Sequence, residues 1–207
     1  EIISEQVILD DLNFPERGEL YSGKVPMMTS RGCPFHCAFC SSSEYWGTTR
    51  YISAERFIAE VGDILANYKD ASWLYIMDDL FVADRKRFNH IHDLWMSGGY
   101  NKKLRLWSFV RAGVFDLDMA KKMKEMGFKS VRFGAESGSD RILKVLHKNT
   151  TVEMNQTAVD AAASAGLWIT GSFMHHTPTE TDEERAMTLK FIEKNRGKMG
   201  VEGYYQF

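Results

Sequence analysis

The 207-residue chain is 44% hydrophobic and 26% charged, which is enough for one sizeable core and ordinary for a soluble globular domain. Its 26 basic and 28 acidic residues leave a net charge of -2, so charge gives no argument for nucleic acid or an anionic membrane as partner. Nothing approaches the roughly 18 consecutive apolar residues of a membrane span, and Glu1-Ile2-Ile3-Ser4-Glu5 lacks the form of a signal peptide, so a reducing, cytoplasmic setting is expected.

Residues 1–24 show no sustained period and read as a lead-in linker, with Asp10-Asp11-Leu12-Asn13-Phe14-Pro15 and Gly18 marking turns. The core is expected over 25–207. Val25 to Ser30 reads as a short strand that feeds Cys33-Pro34-Phe35-His36-Cys37-Ala38-Phe39-Cys40, the loop that holds all 3 cysteines. Three thiolates so close together can converge on a soft metal centre, and with no fourth cysteine one metal position stays open. A zinc site completed by a distant His, or buried apolar use of a single Cys, are the alternatives at this point.

Ser53 then opens a helix with Phe57, Ile58, Val61, Ile64 and Leu65 at helical spacing. Trp73 to Met77 reads as a second strand ending in Asp78-Asp79, followed by a helix from about Asp84 that stops at Gly98-Gly99. The third strand, Leu104 to Val110, ends at Arg111, and its helix carries Met119, Met123 and Met126 as a core stripe up to Gly127. Ser130 to Gly134 is the fourth strand, followed by Ala135-Glu136-Ser137-Gly138 and by helical material from about Ser139 to Ala165 broken near Lys148-Asn149. The fifth spans Leu167 to Met174, and its helix starts at Thr181-Asp182-Glu183-Glu184, a capping box. Tyr204 to Phe207 begins a sixth.

Strands and helices alternating in this rhythm predict an α/β fold with a parallel sheet and right-handed crossovers. Ligands of such folds sit at the carboxyl ends of the strands. There the chain carries the cysteine loop, Asp78-Asp79, Arg111 and Glu136-Ser137. Carboxylates suit an ammonium, a guanidinium suits a carboxylate, and both suit ribose hydroxyls, so a zwitterionic ligand bearing a ribose fits the set. As single residues each is equally well explained as a cap or ion pair. The chain has neither of the two glycine-rich nucleotide-binding motifs, G-x-x-x-x-G-K-[ST] or G-x-G-x-x-G after the first strand.

The cysteine spacing, together with Thr29-Ser30-Arg31-Gly32-Cys33-Pro34, Met77-Asp78-Asp79-Leu80-Phe81 and Phe133-Gly134-Ala135-Glu136-Ser137-Gly138, resembles the radical S-adenosylmethionine (SAM) superfamily, in the subgroup often fused to a cobalamin-binding domain. The resemblance implies a partial (β/α)6 TIM-like barrel with parallel strands, truncated after strand six. It implies that Cys33, Cys37 and Cys40 hold a 4Fe-4S cluster whose fourth iron is chelated by SAM. It further implies that the backbone of Phe39 contacts adenine, that Asp78 and Asp79 take the methionine amino group, and that Glu136 contacts SAM. Charge and position assign Arg111 to the methionine carboxylate or the ribose.

Reductive cleavage of SAM to a 5'-deoxyadenosyl radical is the implied chemistry, with an electron donor such as flavodoxin or ferredoxin and an unknown substrate. The outcome is open between methyl transfer, with cobalamin bound by another domain, and rearrangement, whereas methylthiolation would call for a further cysteine-bearing domain. A non-catalytic Fe-S or zinc module for electron transfer or partner binding is the alternative. Two departures stand out. His176-Thr177-Pro178-Thr179-Glu180-Thr181 replaces the Gly-x-Pro-Gly-Glu-Thr frequent in relatives, which puts the shape of that turn in question. The loop Ser41 to Tyr51, with Tyr45, Trp46 and Arg50, either meets substrate or packs onto the barrel.

Overall fold

The computed structural model describes residues 23–207, so nearly all of the lead-in, including Leu9 to Pro15, lies outside the described residues. Strand β1 (Lys24–Met27) leads into a two-stranded antiparallel ribbon, β2 (Ser30–Arg31) with β3 (Arg50–Tyr51), and this ribbon brackets the cysteine loop and a short helix, α1 (Ser42–Trp46). The chain continues through α2 (Ala54–Asn67), β4 (Trp73–Ile76), α3 (Arg85–Ser97), β5 (Arg105–Val110), α4 (Leu117–Met126) and β6 (Phe128–Glu136). It ends with α5 (Asp140–Val145), α6 (Val152–Ser164), β7 (Trp168–His175), α7 (Asp182–Lys194) and β8 (Met199–Gln206).

The main sheet has six strands in the order β1-β4-β5-β6-β7-β8, and every neighbouring pair is parallel. Each sequential strand lies beside the last, as in a partial (β/α) barrel. The ribbon and α1 are additions that periodicity did not suggest, because two-residue strands and a five-residue helix are too short to show a period. The last strand also starts earlier than expected, at Met199, since its glycines and charges hide the alternation.

The helix starts are built as their cap residues dictate. Ser53, Asp84, Asp116, Ser139, Thr151 and Thr181 each accept a backbone N–H from the first turn, and the Thr181–Glu184 capping box is complete. Alternate strand residues face the helices: Leu74, Ile76, Leu106, Val131, Phe133, Ile169 and Phe173 are all at most 1% exposed. Opposite them lie Phe57, Phe88, Ile91 and Trp95, and the stripe Met119, Met123 and Met126 is fully buried. Trp95 donates its indole N–H to the Met126 carbonyl at 2.8 Å, so its one polar atom is satisfied inside the core. Among the described residues no helix is long and apolar enough to cross a membrane.

Candidate functional site

The carboxyl ends of the strands frame a cavity of about 300 Å³ whose walls include Cys33, Cys37, Phe39, Cys40, Asp79 and Arg111, with Gly134, Glu136 and Lys148 opposite. That volume is at the lower end of the roughly 300–1,000 Å³ of small-ligand pockets. Hollows of about 470 and 440 Å³ lie between α6 and α7 and at the opposite end of the sheet, and no cysteine lines either. Size therefore does not pick the site, and the chemistry of the walls does.

The cysteine loop is fixed at both ends. Gly32 has a φ of +84°, and a Cβ there would stand 2.9 Å from the Thr48 carbonyl oxygen, so only glycine lets the loop leave the ribbon. Farther on, Ala38 donates its N–H to the Leu146 carbonyl at 2.9 Å, tying the loop to the end of α5, and Cys40 N–H closes a turn onto Cys37. The three cysteines are free thiols, Cys33 and Cys37 half-buried and Cys40 exposed. Burial pushes the Cys33 thiol above its ordinary value, against the pull of the Phe35 backbone and of Arg111, so its thiolate is disfavoured until a cation takes the sulfur.

Among the described residues no three His, Cys, Asp or Glu side chains close on one point as a single metal ion requires. The thiols instead line one wall of the cavity. Three thiolates at one cavity, with no fourth cysteine in the sequence, are a donor set that a 4Fe-4S cluster can use while one iron is left to another ligand. The residues present thus suit an iron-sulfur cluster.

Arg111 closes the wall behind the thiols. Its guanidinium lies 3.9 Å from the Phe35 ring centroid and its Nη1 donates to the Cys37 sulfur at 3.5 Å, while Nη2 is buried without a partner. Across the cavity, Lys148 donates to Glu136 at 2.7 Å, and the ammonium also sits over the Phe39 ring at 5.4 Å. Both residues of this pair are buried, 6% exposed for Glu136 and 7% for Lys148. Glu136 holds a φ of +61°, a strained setting for a non-glycine residue that turns its carboxylate back over the strand. A Cβ at Gly134 would stand 2.0 Å from that carboxylate and 2.7 Å from the ammonium, so the glycine is what leaves room for the pair.

Of the expected residues, Cys33, Cys37, Cys40, Phe39, Asp79, Arg111 and Glu136 meet in the one cavity, and Asp78 does not. Asp78 is fully buried behind the cysteine loop, where it accepts from the Thr29 N–H and hydroxyl, both at 2.5 Å, and from the Ser30 N–H at 3.0 Å. Burial raises its carboxyl above the usual range despite these bonds and the nearby Arg87. The correction has a simple cause: the alternation of β4 runs on past Ile76, with Met77 and Asp79 exposed and Asp78 and Leu80 buried, so the adjacent acids face opposite sides. Asp79 takes the cavity side and accepts the Ser42 hydroxyl at 2.6 Å.

In the following loop, Arg31 and Arg50 lie over Trp46 at 4.9 and 5.9 Å, so Trp46 and Arg50 pack the loop, while Tyr45 stays 76% exposed. Lys148 was missed in the sequence. Its signal was the break between two helical runs directly after a strand end, which brings a side chain back over the barrel mouth. The turn after β7 keeps left-handed backbone at His176 and Thr179, with φ of +56° and +66°, where relatives often carry glycine.

The model of the Radical SAM superfamily matches residues 27–192. An uncharacterised methyltransferase of Pyrococcus horikoshii is 39% identical over 169 residues, covering 81% of this chain and 36% of that protein. A putative methylthiotransferase of Methanocaldococcus jannaschii is 28% identical over 199 residues, 88% of this chain and 43% of its own length. Among solved structures, the cobalamin-dependent SAM radical enzyme OxsB, with aqua-cobalamin and SAM bound, superposes with a TM-score of 0.74 at 24% identity, over 81% of this chain and 26% of that one. At that identity the likeness is one of fold. The chain thus spans 36% and 43% of the two curated relatives' lengths.

Proposed function

The chain belongs to the Radical SAM superfamily, and from that premise we propose that it is the catalytic core of a radical SAM enzyme, with Cys33, Cys37 and Cys40 as ligands of a 4Fe-4S cluster and the adjoining cavity as the SAM site. When bound, cluster and SAM supply one-electron cleavage of the sulfonium, giving a 5'-deoxyadenosyl radical that abstracts hydrogen from substrate. The protein's own part is to orient and to exclude water. The observation that carries the reading is the wall itself: three free thiols, a buried guanidinium with a spare N–H, and carboxylates of two other strands around one cavity.

Each wall group suits one part of SAM. The exposed carboxylate of Asp79 attracts the methionine ammonium, and the Ser42 hydroxyl holds it in place. The spare Nη2 of Arg111 suits the methionine carboxylate or a ribose hydroxyl, while the backbone of Phe39 suits adenine. Glu136 can accept from ribose hydroxyls, and its ion pair with Lys148 holds the carboxylate in place.

For the parent protein, the methyltransferase names among the relatives and the cobalamin-dependent neighbour support methyl transfer with cobalamin held by another domain. A methylthiotransferase among the relatives keeps sulfur insertion as a second outcome. A low-potential electron donor is required in either case.

Anaerobic reconstitution with iron and sulfide, then dithionite and SAM, tests the core reading. Slow formation of 5'-deoxyadenosine is expected without substrate, above a Cys37→Ala control. A full cluster with no product would refute it.

A further inference from the structure

Arg111 is 6% exposed, and among the described residues no carboxylate lies within ion-pair distance of it. Its backbone is fixed, since the Val114 and Phe115 N–H groups both donate to its carbonyl, at 3.2 and 2.9 Å. Stacking on Phe35, at 3.9 Å, fixes the plane of the guanidinium. One nitrogen points at the Cys37 sulfur at 3.5 Å and the other is buried with nothing to bond, on a side chain that lines the cavity. A cation this deep without a carboxylate is costly unless an anion is meant to lie beside it.

We propose that Arg111 tunes the cluster, raising its reduction potential through the N–H···S bond to Cys37. The inference rests on the cluster-and-SAM reading above. Its physical basis is general. A hydrogen bond to a ligating sulfur withdraws electron density from it, and a fixed positive charge in a low-dielectric wall favours the state carrying one more electron. The electron comes from the external reductant, and Arg111 neither gains nor loses a proton.

Arg111 is in this sense a positioning and tuning residue. A merely structural arginine packed on Phe35 would leave the potential unchanged when replaced by an apolar side chain of similar length. The test is therefore a poised titration of the reconstituted protein without SAM, followed by electron paramagnetic resonance, on the wild type, Arg111→Lys and Arg111→Met. Arg111→Met should show an about tenfold lower ratio of reduced to oxidised cluster at a fixed poise, which is about 59 mV for a one-electron couple. Arg111→Lys should fall between the two, since it keeps the charge and loses the fork.

An unchanged midpoint in Arg111→Met with full iron and sulfide would overturn the proposal. Should the variants fail to load, pulsed resonance on the reduced wild-type cluster decides, with guanidinium 15N labelling and exchange into D2O. Couplings to a labelled nitrogen and an exchangeable proton are expected, and their absence overturns the N–H···S bond. A wild type that takes up no 4Fe-4S cluster at all would remove the underlying reading as well, which separates the two failures.

Discussion

The two sides of the cysteine loop are built from the same kinds of residue and behave differently. On its underside, Asp78 accepts three hydrogen bonds from Thr29 and Ser30, and Arg87 donates to the carbonyls of Ile52 and Thr29 and to the Thr29 hydroxyl, at 2.8, 3.3 and 2.9 Å. On the cavity side, three thiols are free, Arg111 keeps an unpartnered nitrogen and Asp79 is exposed. Arg87 Nη1 is also buried without a partner, so what separates the sides is access: the underside groups are enclosed by the chain, whereas the thiols, Asp79 and Arg111 line a cavity that a ligand can enter. Asp78 and Asp79 are neighbours in sequence and belong to different sides.

The strongest test of that division is at the thiols. Cys33→Ala, Cys37→Ala and Cys40→Ala should each lose the cluster, because two thiolates remain for a centre that needs three, while circular dichroism and the thermal transition stay close to those of the unloaded wild type. Full iron and sulfide in any one of the three would remove that cysteine from the ligand set.

Next in size is the contrast between the adjacent acids. Asp78→Ala leaves the Thr29 hydroxyl and the Thr29 and Ser30 N–H groups without their acceptor, and each buried donor left unpaired costs about 1–3 kcal/mol, read by denaturant unfolding. Asp79→Asn, at an exposed carboxylate, should change stability by less than about 1 kcal/mol and should weaken SAM binding at full cluster content. Equal destabilisation by Asp78→Ala and Asp79→Asn would erase the distinction between scaffold and wall.

A second satisfied knot lies at the turn after β7, where Glu184 accepts from Ser139, from the Thr181 N–H and from the fork of Arg141. Arg141 first, then these other bonds, holds the Glu184 carboxyl down at about 2 from an ordinary 4.5. A carboxyl held lower in the folded chain than in the unfolded one stabilises fully above pH 4.5, and this contribution fades as pH falls towards about 2. Arg141→Ala should therefore lower the melting temperature at pH 7 and bring the variant and wild type together near pH 2. A gap that persists at that pH would mean that the pair is not what holds the turn.

The smallest effect concerns strain at the same turn. His176 is held at a φ of +56°, so His176→Gly should stabilise the fold by about 1 kcal/mol, a rise of a few degrees in melting temperature. No gain would show that the imidazole's contacts with His175, whose ring centroid lies 4.8 Å away, offset the strain.

Much of this molecule was legible before any coordinates. The strand-helix rhythm, the cap residues Ser53, Asp84, Asp116, Ser139 and Thr181, the Met119-Met123-Met126 stripe and the cysteine spacing are local features, and local propensity and periodicity act over a few residues. The order of the sheet followed from them, because short right-handed crossovers leave few alternatives. Legible too was the set of strand ends that would meet. Which side chains of those ends face the ligand was decided only by the folded chain: a strand points neighbours to opposite faces, so a boundary uncertain by one residue exchanges Asp78 for Asp79. Lys148 depends on three further things, a helix break, a left-handed Glu136 and the space above Gly134, and these come together only when α5 folds back over β6. The bond from Arg111 to Cys37 spans 74 residues, a distance that no local rule reads and that the parallel sheet closes by setting β1 and β5 on either side of β4.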